Sequence, residues 1–586
     1  MMKKPSFAAL KMNQNQSRLD WSKSTFEIQF HAEGAFHSLS LYESSPYAQA
    51  TLEISEVAFG TRLQIIFQPH GEVQLEEVRC DLNFKVDQKE TLFFNGYQSW
   101  TDSHELKAND KMPHLSILAK PLMDKYKFDR YGDTVVRSFS HRKGHFHGFT
   151  YATVGSDQQK LFFGSLNEKT GFTILEYFHN KGKWSFIKDN AGWIGSEAIC
   201  VLDMLCLHGS SSEVYDTYFE LLGTSKPRIQ QASGWTSWYN YYQNISESLI
   251  HKNLRNFTKE DHLDFFQIDD GYQTAVGDWL SVDPSKFPQG MKPIADQIHT
   301  QGMKAGIWLA PFVAETKSEL FRNHPDWFIK DYDGKPLSAG GNWSGCYALD
   351  LELLAVRDHL RAVFDVMLNE WDYDMVKLDF LYAACMMPRN NKSRGQLMHE
   401  AMSFVRDCVK DKYILGCGVP LASSFGLVDF CRIGCDVGLD WNDRPYMRML
   451  HRERISTLHS IKNSIGRRHL NRRAFVNDPD VFLLRESNIA LSLNQKKTLA
   501  LTNWLFGGLL FTSDDISEYK DQQRKLYQHM MHQAKPIVTT VESSQDLVRI
   551  DTVSGEQYLM NLSSKSRKDH STNQVLAAFE SMKVKD

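Results

Sequence analysis

The sequence predicts a multidomain protein with an N-terminal antiparallel β-sandwich, a central (β/α)8 barrel and a small C-terminal β domain. A chain of 586 residues is longer than a single domain usually is. Short strand patterns fill residues from about 20 to 225, and strand and helix patterns alternate from about 230 to 520. The remaining tail is β-rich again. We therefore predict a sandwich over residues 1–228, a barrel over 229–525 and a C-terminal domain over 526–586.

The N-terminal region shows the residue alternation of half-buried strands. Segments such as STFEIQFHAEG, TRLQIIFQPHG and GFTILEYFHNKGKWSFIKD alternate β-branched or aromatic residues with polar ones and are bounded by Gly, Asn or Asp. Few helical patterns interrupt them. Two antiparallel sheets packed face to face are the natural arrangement for such a run.

The central region contains eight strand candidates separated by helix-like stretches, such as residues 353–371. Strand–helix alternation implies parallel strands joined by helical crossovers. Eight such units in about 290 residues have the size and number of a (β/α)8 barrel. The candidates are residues 234–239, 264–270, 304–311, 374–380, 413–418, 430–436, 474–479 and 509–514.

Charge and cysteine content narrow the class of protein. The chain has 67 basic and 71 acidic residues, and a net charge of -4 gives no reason to expect a nucleic acid or membrane partner. Nine cysteines without a repeated spacing predict reduced thiols rather than a disulfide framework. The N-terminus lacks the apolar core of a secretory signal, and no window approaches about 18 uninterrupted apolar residues. We expect a cytoplasmic protein, and leave homo-oligomerisation open.

One pair of histidines is spaced as a candidate metal site. His145 and His147, in HRKGHFHGF, would share one face of a strand. No third ligand is evident in the sequence. We therefore expect neither a metal nor another cofactor.

Polar residues end most of the candidate barrel strands. Barrel active sites lie at the carboxyl ends of the strands. A strand that leaves the core often ends in a polar residue, and this accounts for one or two polar ends. It accounts poorly for six or seven. The sequence thus predicts an active-site rim formed by Asp269, Asp270, Lys377, Asp379, Cys417, Gly418, Asp436, Asp478 and Asp514.

Two of these carboxylates form a candidate catalytic pair. Asp379 and Asp436 would end the fourth and sixth strands, whose backbones lie about 10 Å apart because neighbouring strands are roughly 4.8 Å apart. Their carboxyl groups could approach within roughly 5–6 Å, near the separation of a retaining glycosidase. There one carboxylate attacks the anomeric carbon, and the other donates and later accepts a proton.

Each of the two aspartates has a cation nearby in sequence. Lys377 would point to the same side of its strand as Asp379, where a cation lowers the pKa of a nucleophile. A purely structural ion pair is the alternative. Arg432 lies four residues before Asp436 and would share its face if both lie on a strand. It would then contact substrate or orient Asp436.

Taken in order, the motifs of the central region resemble a known family. GWTSWY, FQIDDGYQTAVGDWL, GIWLAPF, KLDFLY, ILGCGVPL, RIGCD and NDPDVFLLRE follow one another through residues 230–520. This sequence is similar to glycoside hydrolase family 36, the bacterial α-galactosidases, and more distantly to family 27. The β-rich flanks agree with that family's architecture. The resemblance implies a retaining enzyme that removes terminal, mainly α-1,6-linked galactose from oligosaccharides such as raffinose or melibiose.

The resemblance also implies roles for individual residues. The family's nucleophile motif matches KLDF, and so that role falls on Asp379. Its acid/base motif matches RIGCD and implies Asp436. Its paired aspartates match Asp269 and Asp270, which would bind the axial 4-OH and the 6-OH. A buried carboxylate there would reject a sugar that leaves it unpaired.

Further family positions line the sugar. Lys377 matches the lysine that binds ring hydroxyls beside the nucleophile. The turn Cys417-Gly418 and Arg432 match positions on the 2-OH and 3-OH side. The two aromatic walls of the galactose subsite match Trp238 and Trp308.

Two further tryptophans have two interpretations each. Trp100, in FFNGYQSW, resembles an N-terminal-domain loop that reaches the cleft in some family members, and a sandwich-core position is the alternative. Trp343, in the loop 338–346, would either contact the sugar beyond galactose or pack on the surface.

The substrate and the reaction also keep alternatives. Gly418 stands where family 27 α-galactosidases have a larger residue against the 2-substituent. An α-N-acetylgalactosaminidase therefore stays open, as does an α-galactosyl transferase. A non-catalytic sugar-binding protein is disfavoured because Asp379 and Asp436 both lie within intact motifs.

Overall fold

The computed structural model describes residues 19–584 apart from 20, 42, 44, 259–260, 262, 442–451 and 545. Within these residues the chain forms two seven-stranded sheets, a curled nine-stranded parallel sheet and a smaller C-terminal sheet. This order agrees with the predicted succession of a β-rich region, a strand–helix region and a second β-rich region.

Fourteen strands build the two N-terminal sheets. One sheet has the order β2-β1-β5-β12-β11-β8, with β13 beside β5, and the other has β3-β4-β14-β10-β9-β6-β7. The strands are β1 Thr25–Ala32, β2 Ala35–Ser40, β3 Ala48–Val57, β4 Gly60–Pro69, β5 Val73–Asn83, β6 Thr91–Phe94, β7 Glu105–Lys107, β8 His145–Phe149, β9 Tyr151–Gly155, β10 Lys160–Ser165, β11 Phe172–Phe178, β12 Lys183–Asp189, β13 Ile194–Gly195 and β14 Ile199–Gly209.

Aromatic side chains pack the two N-terminal sheets against each other. Phe30 of β1 meets Phe67 of β4 at a ring distance of 5.4 Å, and Trp184 of β12 meets Phe163 of β10 at 4.9 Å. All four side chains are buried. The alternation seen in the sequence therefore places one face of each sheet in a common core.

Twelve strands follow in the central region. Nine of them form one parallel sheet in the order β24-β23-β22-β21-β17-β16-β15-β26-β25, and β18, β19 and β20 form a small antiparallel sheet. The strands are β15 Ala232–Thr236, β16 Phe265–Ile268, β17 Lys304–Leu309, β18 Val313–Glu315, β19 Ser338–Gly340, β20 Cys346–Ala348, β21 Met375–Leu378, β22 Tyr413–Gly416, β23 Phe430–Arg432, β24 Val476–Asp478, β25 Val481–Phe482 and β26 Leu509–Thr512.

The two edges of the parallel sheet are successive pieces of one chain segment. β24 pairs with β23, and β25 pairs with β26, yet only Pro479 and Asp480 separate β24 from β25. Proline has no backbone N–H to donate, so the strand is interrupted there. The sheet must curl for one segment to serve both edges.

Each of the eight predicted strands overlaps an observed strand, but several end earlier than predicted. β23 ends at Arg432, and so Asp436 lies in the following loop rather than on the strand. β15 ends at Thr236, and Trp238 begins a short helix. Strand propensity continues in both motifs, but the pairing partners end first.

The α-helices are α1 Lys120–Tyr126, α2 Ser211–Leu222, α3 Trp238–Tyr241, α4 Glu247–Asn256, α5 Lys292–Thr300, α6 Glu319–Asn323, α7 Leu354–Asp365, α8 Arg394–Val409, α9 Thr457–Gly466, α10 Leu493–Phe506 and α11 Asp521–His532. Helix α7 continues as a π-helix over Val366–Glu370. Together the two cover most of the predicted helix 353–371. Between β22 and β23 the connection holds only a 3-10 turn, Leu421–Ser424.

The C-terminal region forms a four-stranded antiparallel sheet in the order β27-β28-β29-β32 and a two-stranded ribbon of β30 and β31. The strands are β27 Val538–Ser544, β28 Leu547–Thr552, β29 Gln557–Asn561, β30 Arg567–Lys568, β31 Val575–Leu576 and β32 Ser581–Lys583. Helix α11 precedes this sheet and crosses the domain boundary predicted at residue 525.

Within the described residues the chain has neither a disulfide bond nor a helix suited to span a membrane. All nine cysteines are free, and seven of them are buried. No helix in the described part of the chain is both long and apolar enough to cross a membrane.

Candidate active site

A cavity of about 610 Å³ opens at the carboxyl edge of the parallel sheet. It brings together nine of the twelve residues to which the sequence analysis assigns catalysis or sugar binding. The other three, Cys417, Gly418 and Arg432, do not line the cavity but lie next to residues that do. The nine are Trp100, Trp238, Asp269, Asp270, Trp308, Trp343, Lys377, Asp379 and Asp436.

Asp379 is the first residue after β21, and the neighbouring strand β17 fixes its position. Its backbone N–H donates to the Leu309 carbonyl at 3.0 Å. Its carboxylate accepts from Trp308 Nε1 at 3.2 Å and from the Phe380 N–H at 3.0 Å. Burial raises the pKa of Asp379, while Lys377 and the Cys417 and Trp308 hydrogen bonds oppose that rise.

Lys377 bonds a different carboxylate from the one the sequence suggested. Its Nζ donates to Asp269 Oδ2 at 2.8 Å, two strands away across the sheet, and both side chains are buried. Burial lowers the pKa of Lys377, but Asp269 outweighs it, and the pKa lies above its usual value. Lys377 therefore acts on Asp379 through its charge, as predicted, whereas its hydrogen-bonded ion pair is with Asp269.

The paired aspartates follow β16 and are held by amide and indole donors. Asp269 also accepts from Gln267 Nε2 at 2.7 Å. Burial raises the pKa of Asp270, and three hydrogen-bond donors counteract it. These donors are Gln273 at 2.6 Å, Gln243 at 2.8 Å and Trp343 Nε1 at 3.0 Å.

Trp343 is positioned by contacts of its ring and of its indole N–H. Its ring packs against Phe380 and Trp308 at centroid distances of 5.0 and 6.1 Å. Its indole bonds Asp270, and its side chain lines the cavity. The backbone φ of 55° places this loop residue in the left-handed region.

Asp436 faces the cavity from the loop after β23. Its side chain is 34% exposed, whereas that of Arg432 is 3% exposed. Arg432 Nη1 donates to Asp436 Oδ1 at 2.7 Å. Arg432 therefore contacts Asp436, and a loop rather than a shared strand face brings the two together. The negative charge of Asp436 also raises the pKa of Asp379.

Trp100 reaches this cavity from the N-terminal region. Its indole Nε1 donates to Cys417 Sγ at 3.0 Å, and its ring packs edge-on against Phe380 at 5.2 Å. Gly418 has a φ of 58°, and a Cβ there would lie 2.9 Å from Trp100 Cζ2. The sandwich-core alternative for Trp100 is wrong.

Eleven further residues line the cavity that the site prediction did not include. Two of them, Tyr239 in GWTSWY and Phe380 in KLDFLY, are aromatic residues within motifs that the sequence singled out. The others lie on loops or helix starts whose course the sequence does not specify. The eleven are Phe128, Tyr131, Tyr239, Tyr242, Gln243, Asn244, Asn342, Phe380, Glu453, Arg454 and Ile455.

The histidine pair considered as a metal site has separate protein partners. His147 Nε2 lies 2.7 Å from Asp133 Oδ2 and 3.2 Å from Arg452 Nη1. His145 Nδ1 lies 2.7 Å from Ser140 Oγ. Hydrogen bonding within the protein accounts for both rings.

A curled parallel sheet with helical connections holds two carboxylates that face one cavity at its carboxyl edge. This combination is typical of barrel glycoside hydrolases. The carboxylates differ in setting, since Asp379 accepts the N–H groups of Trp308 and Phe380, whereas Asp436 accepts from the guanidinium of Arg432.

Comparison with known proteins identifies the relatives of this site. Residues 230–409 match the Melibiase family model. α-Galactosidase 2 of Pediococcus pentosaceus is 30% identical over 200 residues, which are 33% of this chain and 27% of the relative. An A type blood α-D-galactosamine galactosaminidase of Flavonifractor plautii is 33% identical over 147 residues, 23% of this chain and 14% of the relative.

A solved structure extends the likeness to most of the chain. The α-galactosidase of Thermus thermophilus, in complex with p-nitrophenyl α-D-galactopyranoside, superposes with a TM-score of 0.68 at 25% identity. The match covers 89% of this chain and 97% of the Thermus chain. The same enzyme in complex with stachyose gives a TM-score of 0.67. The resemblance to the family 36 α-galactosidases is confirmed.

Proposed function

We propose that this protein is a retaining α-galactosidase that hydrolyses terminal α-linked galactose, mainly α-1,6-linked, from oligosaccharides such as raffinose or melibiose. The observation that carries the proposal is the placement of Asp379 and Asp436 on one cavity with the Asp269–Lys377 pair. Two carboxylates supply the nucleophile and the proton donor of a double displacement. The polar pair beside them supplies sugar recognition.

In the first step Asp379 attacks the anomeric carbon while Asp436 protonates the departing oxygen. Three features suit Asp379 to attack. Its carboxylate is oriented by the Trp308 and Phe380 N–H groups, Lys377 favours its ionised form, and its side chain lines the cavity. The partly exposed Asp436 lies where a leaving group and water can both reach it.

In the second step water replaces the leaving group and Asp436 acts as the base. Water attacks the anomeric carbon of the galactosyl–Asp379 ester, and Asp436 takes the proton. Two inversions restore the α configuration. No proton donor other than Asp436 is required.

Galactose selectivity is assigned to Asp269, Asp270 and Lys377. Their hydrogen-bonding groups are buried, and a sugar without the axial 4-OH would leave some of them unpaired. The Thermus relative was solved with two α-galactosides, which supports this substrate class. The walls formed by Trp238, Trp308 and Trp100 would cover the apolar face of the ring.

Two alternatives share the same mechanism. The Flavonifractor relative acts on α-galactosamine, and so tolerance of a substituent at position 2 is the relevant test of specificity. Transfer to a sugar hydroxyl instead of water would use the same covalent intermediate. Hydrolysis of galactosides is favoured because the similarity to the Thermus enzyme covers most of the chain.

The finer architecture is part of the proposal. We interpret the curled parallel sheet as a (β/α)8 barrel, with β24 and β25 as one interrupted strand, and the N-terminal sheets as a β-sandwich domain. We keep the first domain boundary near residue 228, and we place the second near the end of α11. A cytoplasmic location without nucleic acid or membrane partners remains our prediction.

The proposal is tested with an aryl α-galactoside and the variant Asp379→Gly. We expect wild type to release the phenol and the variant to lose turnover. Azide should restore phenol release in the variant and yield a β-galactosyl azide, because azide fits the space of the missing carboxylate. Release of the aryl group and the configuration of the azide product are both measured, the latter by proton NMR.

The outcomes separate the candidates. Wild type that is inert on the galactoside and active on the N-acetylgalactosaminide keeps the mechanism and overturns the specificity. Inactivity on both, with activity only when a sugar acceptor is added, supports a transferase. Asp379→Gly with wild-type turnover would refute the assignment of the nucleophile.

A further inference from the structure

Arg432 lies at the centre of three carboxylates. Its Nη1 donates to Asp436 at 2.7 Å, its Nε to Asp478 at 3.2 Å, and its Nη2 lies 2.9 Å from Asp480 Oδ1. The side chains of Arg432, Asp478 and Asp480 are at most 5% exposed. Each nitrogen of the guanidinium therefore has its own carboxylate partner, and only Asp436 reaches the cavity.

Asp480 holds the loop of Asp436 at a second point. Its other oxygen, Oδ2, accepts the Val437 N–H at 2.8 Å, immediately after Asp436 in the chain. The same oxygen accepts the hydroxyl of Tyr239, which lines the cavity. Asp480 itself has a φ of 76°, and its N–H donates to Asp478 Oδ1 at 2.9 Å. One buried side chain thus holds the Val437 N–H, Arg432 and Tyr239 beside the acid/base position.

The charges in this cluster do not balance. One guanidinium faces three carboxylates, and a buried excess of negative charge is costly. Burial, together with the negative charges of Asp436 and Asp478, raises the pKa of Asp480 to about 7 against the opposing effect of Arg432. A proton is therefore shared within the cluster near neutral pH, and the groups titrate together.

We propose that Asp480 is a positioning residue for the acid/base role of Asp436: it shares Arg432 and holds the Val437 amide, so that Asp436 can carry a proton while keeping its orientation. The inference rests on the proposed function. If Arg432 were paired with Asp436 alone, the cation would favour the ionised carboxylate and oppose proton donation. Asp478 and Asp480 draw that positive charge away from the cavity.

Other titratable groups near Asp436 and Asp480 are the same in all variants compared below, apart from Tyr239 in one of them. Asp379 interacts with Asp436 across the cavity. The further groups whose charges interact with this pair are Asp478, Arg432, Tyr239, Tyr242, Cys417 and Cys435.

The test compares Asp480→Asn with wild type through the pH profile of kcat/KM from about pH 4 to about pH 9. The alkaline limb reports loss of the proton from the acid. Asparagine keeps the shape and removes a negative charge that opposes ionisation of the acid. We expect the alkaline limb to move to lower pH by about one unit. Methyl α-galactoside, whose leaving group needs the proton, should lose about tenfold more kcat/KM than a dinitrophenyl α-galactoside.

Tyr239→Phe provides a second variant that keeps the buried ring. Loss of the hydroxyl removes a bond that favours the ionised form of Asp480. The alkaline limb should move in the same direction by a smaller amount. Asp429→Asn is the matched control because Asp429 is also buried and pairs with two arginines, at the opposite end of β23. Its alkaline limb should stay at the wild-type position.

An unmoved alkaline limb in Asp480→Asn, with equal losses on the two substrates, would overturn the inference. Wild type inert on both substrates would refute the proposed function instead. Thermal unfolding then decides the inference without any substrate. Because protonation of Asp480 favours the folded protein, wild type should lose more stability than Asp480→Asn between about pH 5 and about pH 8. Equal losses of stability in the two proteins would overturn the inference that Asp480 shares a proton within the cluster.

Discussion

The two edges of the parallel sheet both carry aspartates, yet they use them in opposite ways. At the amino edge an aspartate precedes β16, β21 and β23. Each exchanges two bonds with the neighbouring strand: its carboxylate accepts, and its N–H donates to the carbonyl of the same residue. The pairs are Asp264 with Ser233, Asp374 with Ala305 and Asp429 with Ile414, with N–H to carboxylate distances of 2.8, 2.9 and 2.9 Å.

At the carboxyl edge the carboxylates face the cavity. Asp269, Asp270, Asp379 and Asp436 line it, and their partners are side chains and local N–H groups. Burial raises the pKa of Asp379 and of Asp270, so these ions are held at a cost in free energy. The comparison teaches that a polar strand end is not evidence of a site by itself. An aspartate bonded to the adjacent strand stabilises the sheet, and one that faces the cavity serves chemistry.

The largest effect is expected for Asp379→Asn. The variant should lose kcat/KM on an aryl α-galactoside by on the order of 10⁴-fold, because an amide does not attack the anomeric carbon. The melting temperature should rise, since the substitution removes a buried charge whose pKa is raised by burial. Kinetics and calorimetry on the same sample measure both. A fall in melting temperature would mean that Asp379 stabilises the sheet like the amino-edge aspartates.

The opposite result is expected for Asp429→Asn. Asp429 pairs with Arg228 at 2.7 Å and with Arg406 at 2.8 Å, and its side chain is 4% exposed. We expect the free energy of unfolding to fall by about 3 kcal/mol, the lower end of the cost of breaking a buried ion pair, because Arg228 is partly exposed. Urea unfolding should show this loss. The turnover of folded enzyme should equal that of wild type, and a loss of turnover would remove the contrast between the edges.

The pH dependence of stability is expected to reveal Asp480. Its pKa is about 7 in the folded protein and near 3.9 in the unfolded chain. Between these values the folded state binds the extra proton, so stability falls as the pH rises from about 4 to about 7. Wild type should lose about 2 kcal/mol more than Asp480→Asn across this window. Thermal unfolding at several pH values measures it, and identical pH dependence in the two proteins would contradict the shifted pKa.

The strand order and the polar rim were predictable from the sequence because short-range patterns specify them. Alternation, apolar runs and polar ends are local features, and each of the eight predicted strands overlaps an observed strand. The relation between Arg432 and Asp436 was also predicted, although for the wrong reason. A strand ends where its pairing partner ends, which neither its own residues nor its propensity determines.

Contacts between distant segments were not predictable. The partner of Lys377 is Asp269, 108 residues away, and the curl of the sheet brings them together. Trp100 reaches Cys417 across 317 residues, which depends on how the N-terminal sheets dock. Asp480 follows an Asn-Asp-Pro sequence, which is typical of a turn. Its partners Arg432 and Tyr239 reach it only in the folded chain.

The smallest expected effect concerns two tryptophans that touch each other. Trp308 Nε1 donates to Asp379, and the ring of Trp279 lies 5.7 Å from that of Trp308, while its own buried Nε1 has no hydrogen-bond partner among the described residues. Trp308→Phe should lower kcat/KM about tenfold, since a hydrogen bond to a charged group contributes about 1.5 kcal/mol. Trp279→Phe deletes an N–H that bonds nothing and should leave kcat/KM unchanged. Equal losses in the two variants would mean that the aromatic packing, and not the bond to Asp379, supports the carboxyl edge.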